Sequence, residues 1–179
     1  RDSGFHGILA DDMGLGKTVQ ALTLLLADKK NETAEHPSLV VAPTSVTANW
    51  VEESLKFTPD LKVVRLVGSD RDKLYDQIKN ADVVVTTFAL LRLDLARLRR
   101  RSWHYVVLDE AQNIKNPQSQ TALAAKALTA KHRLALTGTP LENSLIELWS
   151  IFDFLMPGFL DDEKAFRSRY VRSGAEKPK

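Results

Sequence analysis

Two glycines, a lysine and a threonine in the stretch Ile8-Leu-Ala-Asp-Asp-Met-Gly-Leu-Gly-Lys-Thr18 have the types and spacing that hold a phosphate. Gly14 and Gly16 let the backbone take positive φ and approach a ligand closely. Lys17 brings a full positive charge, and the Thr18 hydroxyl is placed to ligate Mg²⁺. The segment Asp12-Met13-Gly14-Leu15-Gly16-Lys17-Thr18 then wraps phosphate groups in backbone N–H donors, and the following helix adds its N-terminal dipole. The strict form of this phosphate loop has a glycine five residues before the second glycine. Asp11 stands there instead, so the reading depends on what surrounds it.

A second constellation lies downstream. Asp109-Glu110 follows the apolar run Tyr105-Val-Val-Leu108. A carboxylate at such a point is suited to hold Mg²⁺ through water, and its neighbour to orient and deprotonate an attacking water. Thr137-Gly138-Thr139-Pro140 also follows an apolar run, and its hydroxyls can link a γ-phosphate to another surface. Pro43-Thr44-Ser45 and Thr86-Thr87-Phe88 stand in similar places. Their hydroxyls suit contacts to a nucleic-acid backbone. Thr44 and Ser45 serve equally well as helix caps.

The elements that must position these groups alternate along the chain. Short apolar runs at 7–10, 39–42, 61–67, 82–86, 105–108 and 133–136 read as strands. Helical patterns follow at 19–27, 47–57, from Ser69, over 90–98, from Asn116-Pro117, over 145–155 and from Asp161. Ser69 with Asp72, and Asn116 with Pro117, read as helix starts. Continuous apolar strands alternating with helices predict an α/β fold: a mostly parallel central sheet with helices on both faces. Ligands bind such sheets at the carboxyl ends of the strands. Every motif named above sits just after a strand.

Composition narrows the class. The chain has 179 residues, 44% of them hydrophobic and 27% charged, as expected of a water-soluble globular protein. It has no cysteine, which excludes disulfide, thiolate and cysteine–zinc chemistry. His6, His36, His104 and His132 show no ligand spacing and read as structural or solvated. No apolar run approaches the ~20 residues that span a bilayer. The net charge of +2 adds little, and the cluster Arg97, Arg99, Arg100 and Arg101 reads first as a solvated face and only second as a nucleic-acid contact. Trp50 and Trp149 fall on apolar helical stripes and read as core.

Six blocks in order carry a resemblance. Gly7-Ile-Leu-Ala-Asp-Asp-Met-Gly-Leu-Gly-Lys-Thr18 resembles motif I of SWI/SNF-type helicase-like ATPases, the aspartate included. Val40-Val-Ala-Pro-Thr-Ser45 with Asn49-Trp50 resembles motif Ia, and Val83-Val-Val-Thr-Thr-Phe88 motif Ib. Leu108-Asp-Glu-Ala-Gln-Asn-Ile-Lys-Asn116 is similar to motif II. Leu136-Thr-Gly-Thr-Pro-Leu-Glu-Asn143 is similar to motif III, and Glu147-Leu-Trp-Ser-Ile-Phe-Asp-Phe-Leu155 to the helix after it. From Gly7 to Tyr170 the chain thus resembles the first RecA-like lobe of that family, within helicase superfamily two.

The resemblance implies a RecA-like phosphate-loop NTPase lobe over 1–172, with 173–179 a disordered tail. It implies ATP and Mg²⁺ as cofactors. Lys17 would contact the β- and γ-phosphates, Thr18 and Asp109 hold Mg²⁺, and Glu110 activate water. Gln112 replaces the histidine of the commoner Asp-Glu-Ala-His form and would couple the nucleotide to motif III without titrating near neutrality. Thr137, Gly138 and Thr139 would relay between ATP and DNA, and Thr44, Ser45, Thr87 and Lys115 would face the DNA backbone. The implied partners are double-stranded DNA and a second RecA-like lobe of the same parent chain, with no membrane and a monomeric fragment. The adenine-binding segment is expected before Arg1, and the second lobe with its arginine fingers beyond Lys179. Such an arginine contributes ~10³–10⁵ in rate, so the lobe alone is expected to be a poor ATPase. Gln112 and the short connections point to a bacterial or archaeal source and a nucleoid setting, the nucleus being the eukaryotic equivalent. The implied activity is ATP-driven movement on duplex DNA. A strand-separating DNA or RNA helicase and a nucleotide-binding interaction module without turnover remain as alternatives.

Overall fold

Six runs rich in valine, leucine and alanine become the strands of one sheet in the computed structural model, which describes residues 6–12, 14–138 and 145–171. They are β1 (His6–Leu9), β2 (Ser38–Ala42), β3 (Val63–Arg65), β4 (Val83–Thr87), β5 (Ser102–Asp109) and β6 (Thr129–Leu136). Their order is β1-β6-β5-β2-β4-β3, and every neighbouring pair is parallel. The α/β class and parallel sheet expected from the alternation are those found. In a parallel sheet all carboxyl ends share one edge. The register sets Leu9 and Asp109 beside Leu136, and Ala42 beside Thr87.

Both faces of the sheet are covered, as its continuous apolar strands require. Alternate residues enter two separate cores. Leu39, Val41, Val84, Val106 and Leu108 join one, with Leu91 of α3 (Phe88–Leu93), Ala122 of α5 (Gln120–Lys126) and Phe154 of α6 (Leu145–Leu155). Val40, Val83, Val85, Val107 and Leu136 join the other, with Leu22 and Leu25 of α1 (Lys17–Lys30) and Trp50 of α2 (Thr47–Phe57). The buried Arg133 guanidinium fastens α6 to the sheet by donating to Phe154 O at 2.6 Å and Leu128 O at 2.8 Å. Among the described residues no helix is long and apolar enough to cross a membrane.

Several boundaries differ from the sequence reading, each for a local reason. The stretch Ser69–Asn80 is a long 3₁₀ segment, and Ser69 caps nothing. The helix expected over 90–98 breaks at Asp94 into α3 and α4 (Leu95–Leu98). Asp94 is buried and takes both Arg71 Nε at 2.6 Å and Arg71 Nη2 at 3.0 Å, which anchors the break. Asn116 does not start a helix. Its side chain closes a turn by accepting from Gln118 N at 3.0 Å, and Ser119 caps α5 through Ala122 N instead. The third strand, at the sheet's edge with one neighbour, is three residues long. The last helix, α7 (Glu163–Phe166), starts from an Asp162 cap and runs on as a π turn over Arg167–Val171. Met13, Thr139, the run 140–143 and the expected tail 173–179 lie outside the described residues.

Candidate active site

The loop after β1 turns into α1 through two glycines in left-handed conformations, Gly14 at φ 84° and Gly16 at φ 74°. A side chain would be strained at either position whatever space surrounds it. Lys17, the first residue of α1, is buried, and its ammonium folds back onto the loop. Nζ donates to Asp11 O at 2.7 Å and to Asp12 O at 2.9 Å. Asp11, the residue that departs from the strict pattern, has a function of its own here. Its carboxylate accepts from Gln20 Nε2 at 3.2 Å, and the same amide donates to Leu15 O at 3.2 Å. One glutamine on α1 thus straps both ends of the loop. Thr18 is half-buried in the first helical turn, and Asp12, Leu15 and both glycines are exposed.

The end of β5 brings in the carboxylates. Asp109 is only 8% exposed, and Trp50 Nε1 donates to its Oδ2 at 2.8 Å. Burial raises the Asp109 pKa above the usual carboxylate range. Trp50 opposes this, the Glu110 charge adds to it, and the Glu110 backbone N–H and the Lys17 charge draw it down. An acid whose pKa is higher folded than unfolded holds its proton more tightly in the fold. Its ionisation therefore weakens the fold, and the loss develops as pH rises from the ordinary carboxylate range through the raised value. Asp109→Asn removes that charge and keeps an oxygen for Trp50. The nucleotide-free variant is expected to melt above the wild type at pH 7, with the gap closing as pH falls; calorimetric scans across pH check this.

Glu110 holds a left-handed backbone, φ 55° and ψ 60°, uncommon for a residue other than glycine or asparagine. A 3₁₀ turn over Ala111–Ile114 follows and returns Gln112 to the carboxylate. Gln112 Nε2 donates to Glu110 Oε2 at 2.7 Å, and Gln112 Oε1 accepts from Thr137 Oγ1 at 3.1 Å. Thr137 N in turn donates to Leu9 O at 3.1 Å. The ends of β1, β5 and β6 are therefore joined by one run of hydrogen bonds. Behind it, Ser150 of α6 donates to Ile114 O at 2.6 Å and fixes the 3₁₀ turn from below.

The residues expected to meet DNA are less alike. Thr44 and Ser45 are exposed in a 3₁₀ turn after β2, and neither caps a helix. Thr87 is buried, and its hydroxyl accepts from Leu90 N at 3.2 Å as the cap of α3. Lys115 is exposed, with Glu147 3.9 Å away. Gly138 is half-buried beyond Thr137. The arginine cluster lies at the opposite edge of the sheet, before β5 begins. There Arg97 pairs with Asp72 and stacks 3.6 Å from the Tyr75 ring centroid. Two contributors escaped the sequence reading. Trp50 is core, as expected, but its N–H also serves Asp109. Gln20 reads as an ordinary helix residue until the loop closes on it.

A family model described as the SNF2-related domain matches residues 1–178. The chain belongs to the SNF2-related family. A solved SWI2/SNF2 ATPase core from Sulfolobus solfataricus, in complex with double-stranded DNA, superposes with a TM-score of 0.88 at 45% identity. That match covers 97% of this chain and 36% of the archaeal one. The TATA-binding protein-associated factor MOT1 of Saccharomyces cerevisiae is 46% identical over 93% of this chain and 10% of its own length. The Bacillus subtilis protein YwqA, named provisionally as an ATP-dependent helicase/translocase, is 46% identical over 96% of this chain and 19% of its own length. The chain thus spans a fifth or less of these two SNF2 relatives. The family and lobe that the motif blocks resemble, the N-terminal RecA-like lobe of an SWI/SNF-type ATPase, are those found.

Proposed function

We propose that this chain is the ATP-binding lobe of a motor that hydrolyses ATP to move along double-stranded DNA. The observation that carries the reading is the run Glu110–Gln112–Thr137–Leu9, which ties the candidate water-activating carboxylate to the phosphate loop and to motif III. The archaeal neighbour bound to duplex DNA supports the choice of polymer. Such an activity belongs wherever a cell keeps its DNA.

A hydroxyl and a buried carboxylate are hard oxygen ligands and suit Mg²⁺. Asp109 fits the ion on its own chemistry, because burial has raised its pKa and a cation would offset that cost. Thr18 and Asp109 would hold it, and the metal would supply charge neutralisation for the transferred phosphoryl group. In this reading Lys17 leaves the carbonyls of Asp11 and Asp12 and pairs with the β- and γ-phosphates. Glu110 takes a proton from the attacking water. Gln112 keeps Glu110 aimed and reports its position to Thr137. Thr44 and Ser45 are the exposed hydroxyls offered to the DNA backbone, and Lys115 adds an exposed charge.

The test is ATP hydrolysis by the full-length protein with duplex or single-stranded DNA, run beside strand displacement on blunt and tailed duplexes. Duplex-stimulated hydrolysis without strand separation is expected. Robust displacement overturns the translocase reading in favour of a helicase. Absence of any nucleotide-binding heat at millimolar ATP and Mg²⁺ overturns the motor itself.

A further inference from the structure

At the sheet edge opposite the phosphate loop, three elements bring ligating side chains together. Asp28 comes from the C-terminal part of α1, His104 from β5 and His132 from β6. Their donor atoms all lie within 4.8 Å of one another, and His104 Nε2 is 2.8 Å from Asp28 Oδ2. His104 and His132 are 28 residues apart in sequence and show no ligand spacing. The sheet register joins them by setting Tyr105 beside His132. Strand alternation also slips here: Trp103 enters one core and Tyr105 the other, and His104 reaches the α1 face to meet Asp28.

We propose that Asp28, His104 and His132 form a binding site for one divalent transition-metal ion of the Zn²⁺ class, pinning the end of α1 to β5 and β6. Two imidazoles and a carboxylate are a donor set for Zn²⁺, with the remaining position left to water. The set is partly organised already. The His104 side chain is 3% exposed and that of Asp28 23%, so the ligands sit where water competes weakly. His132 stacks on Tyr105 with centroids 4.7 Å apart and meets the His104 ring edge-on at 5.1 Å. Tyr105 acts as the outer support. Its hydroxyl hydrogen-bonds the Asp28 carboxylate. Outer hydrogen bonds of this kind orient metal ligands and tune affinity. Metal–ligand bonds of about 2.0–2.2 Å place tetrahedral donors ~3.3 Å apart. On that geometry the widest pair closes by no more than roughly 1.5 Å when the ion binds. This site touches none of the residues assigned to nucleotide or DNA.

The test uses the full-length protein, freed of metal by chelation and held in saturating ATP and Mg²⁺ so that the nucleotide site is occupied. Zn²⁺ stoichiometry is measured by equilibrium dialysis for the wild type, His132→Gln, Asp28→Asn and Tyr105→Phe. The first two variants are expected to bind one equivalent fewer than wild type. Tyr105→Phe is expected to keep the equivalent with an affinity about 10–100-fold weaker. In the wild type, one added equivalent of Zn²⁺ is expected to protect His132, and not His36, from acylation by diethyl pyrocarbonate as read by mass spectrometry. Equal stoichiometry in wild type, His132→Gln and Asp28→Asn overturns the site. So does unchanged His132 acylation with Zn²⁺ present, which leaves the trio a hydrogen-bonded aromatic cluster; that readout needs no variant.

Discussion

Replacing Glu110 with glutamine is expected to leave ATP binding intact and to cut DNA-stimulated turnover by about 10²–10⁴-fold, the usual contribution of a positioned proton acceptor. The two side chains have the same shape. The Gln112 amide that now donates to Glu110 Oε2 at 2.7 Å can donate equally to an amide oxygen, so the loop after β5 should keep its geometry. What disappears is the capacity to take a proton from water. Single-turnover hydrolysis of labelled ATP, set beside equilibrium binding of the nucleotide, separates the two effects. Turnover at the wild-type rate in a clean preparation would remove Glu110 from the mechanism.

Lys17→Ala should fail at an earlier step. The ammonium is the single full positive charge that the described loop carries, and it is held ready by two backbone carbonyls of that loop. Its removal takes away an electrostatic donor whose loss from a comparable site costs about 10²–10³ in rate. It also takes away much of the attraction for the β- and γ-phosphates. The expected outcome is at least about tenfold weaker ATP binding, the cost of ~1.4 kcal/mol in a site built on charge, together with loss of DNA-stimulated hydrolysis. The contrast between the variants is the informative result. Glu110→Gln binds and does not turn over, whereas Lys17→Ala scarcely binds. If Lys17→Ala retains wild-type affinity, the loop is not a phosphate cradle.

Much of this fold is written in short-range signals. Runs such as Val83-Val-Val announce strands, Gly14 and Gly16 announce a turn that needs positive φ, and Asp109-Glu110 after an apolar run announces a charged strand tip. What stays hidden depends on which strands are neighbours. Trp50 is 59 residues from Asp109 in sequence, and their hydrogen bond exists because β2 lies beside β5. The meeting of Asp28, His104 and His132 depends on register in the same way. Local competition obscured other points. Asn116-Pro117 and Ser119 are both sound helix starts, and the chain uses the later one because Asn116 closes a turn with Gln118. Thr87 lies in a motif-like loop, yet its burial makes it a cap for α3.

The tip of β5 has a bearing on how this protein can be evolved or redesigned. Asp109 carries a charge that burial disfavours, and Glu110 occupies a conformation that glycine or asparagine would take with less strain. On the proposed function, each position is held by its chemistry against the preference of the folded chain. A library screened for thermal resistance alone would drift here, towards asparagine at 109 and glycine or asparagine at 110. The survivors would fold better than the parent and would have lost the proposed ATP hydrolysis. Any stabilisation campaign on this scaffold therefore has to lock both positions, or carry a turnover assay through every round.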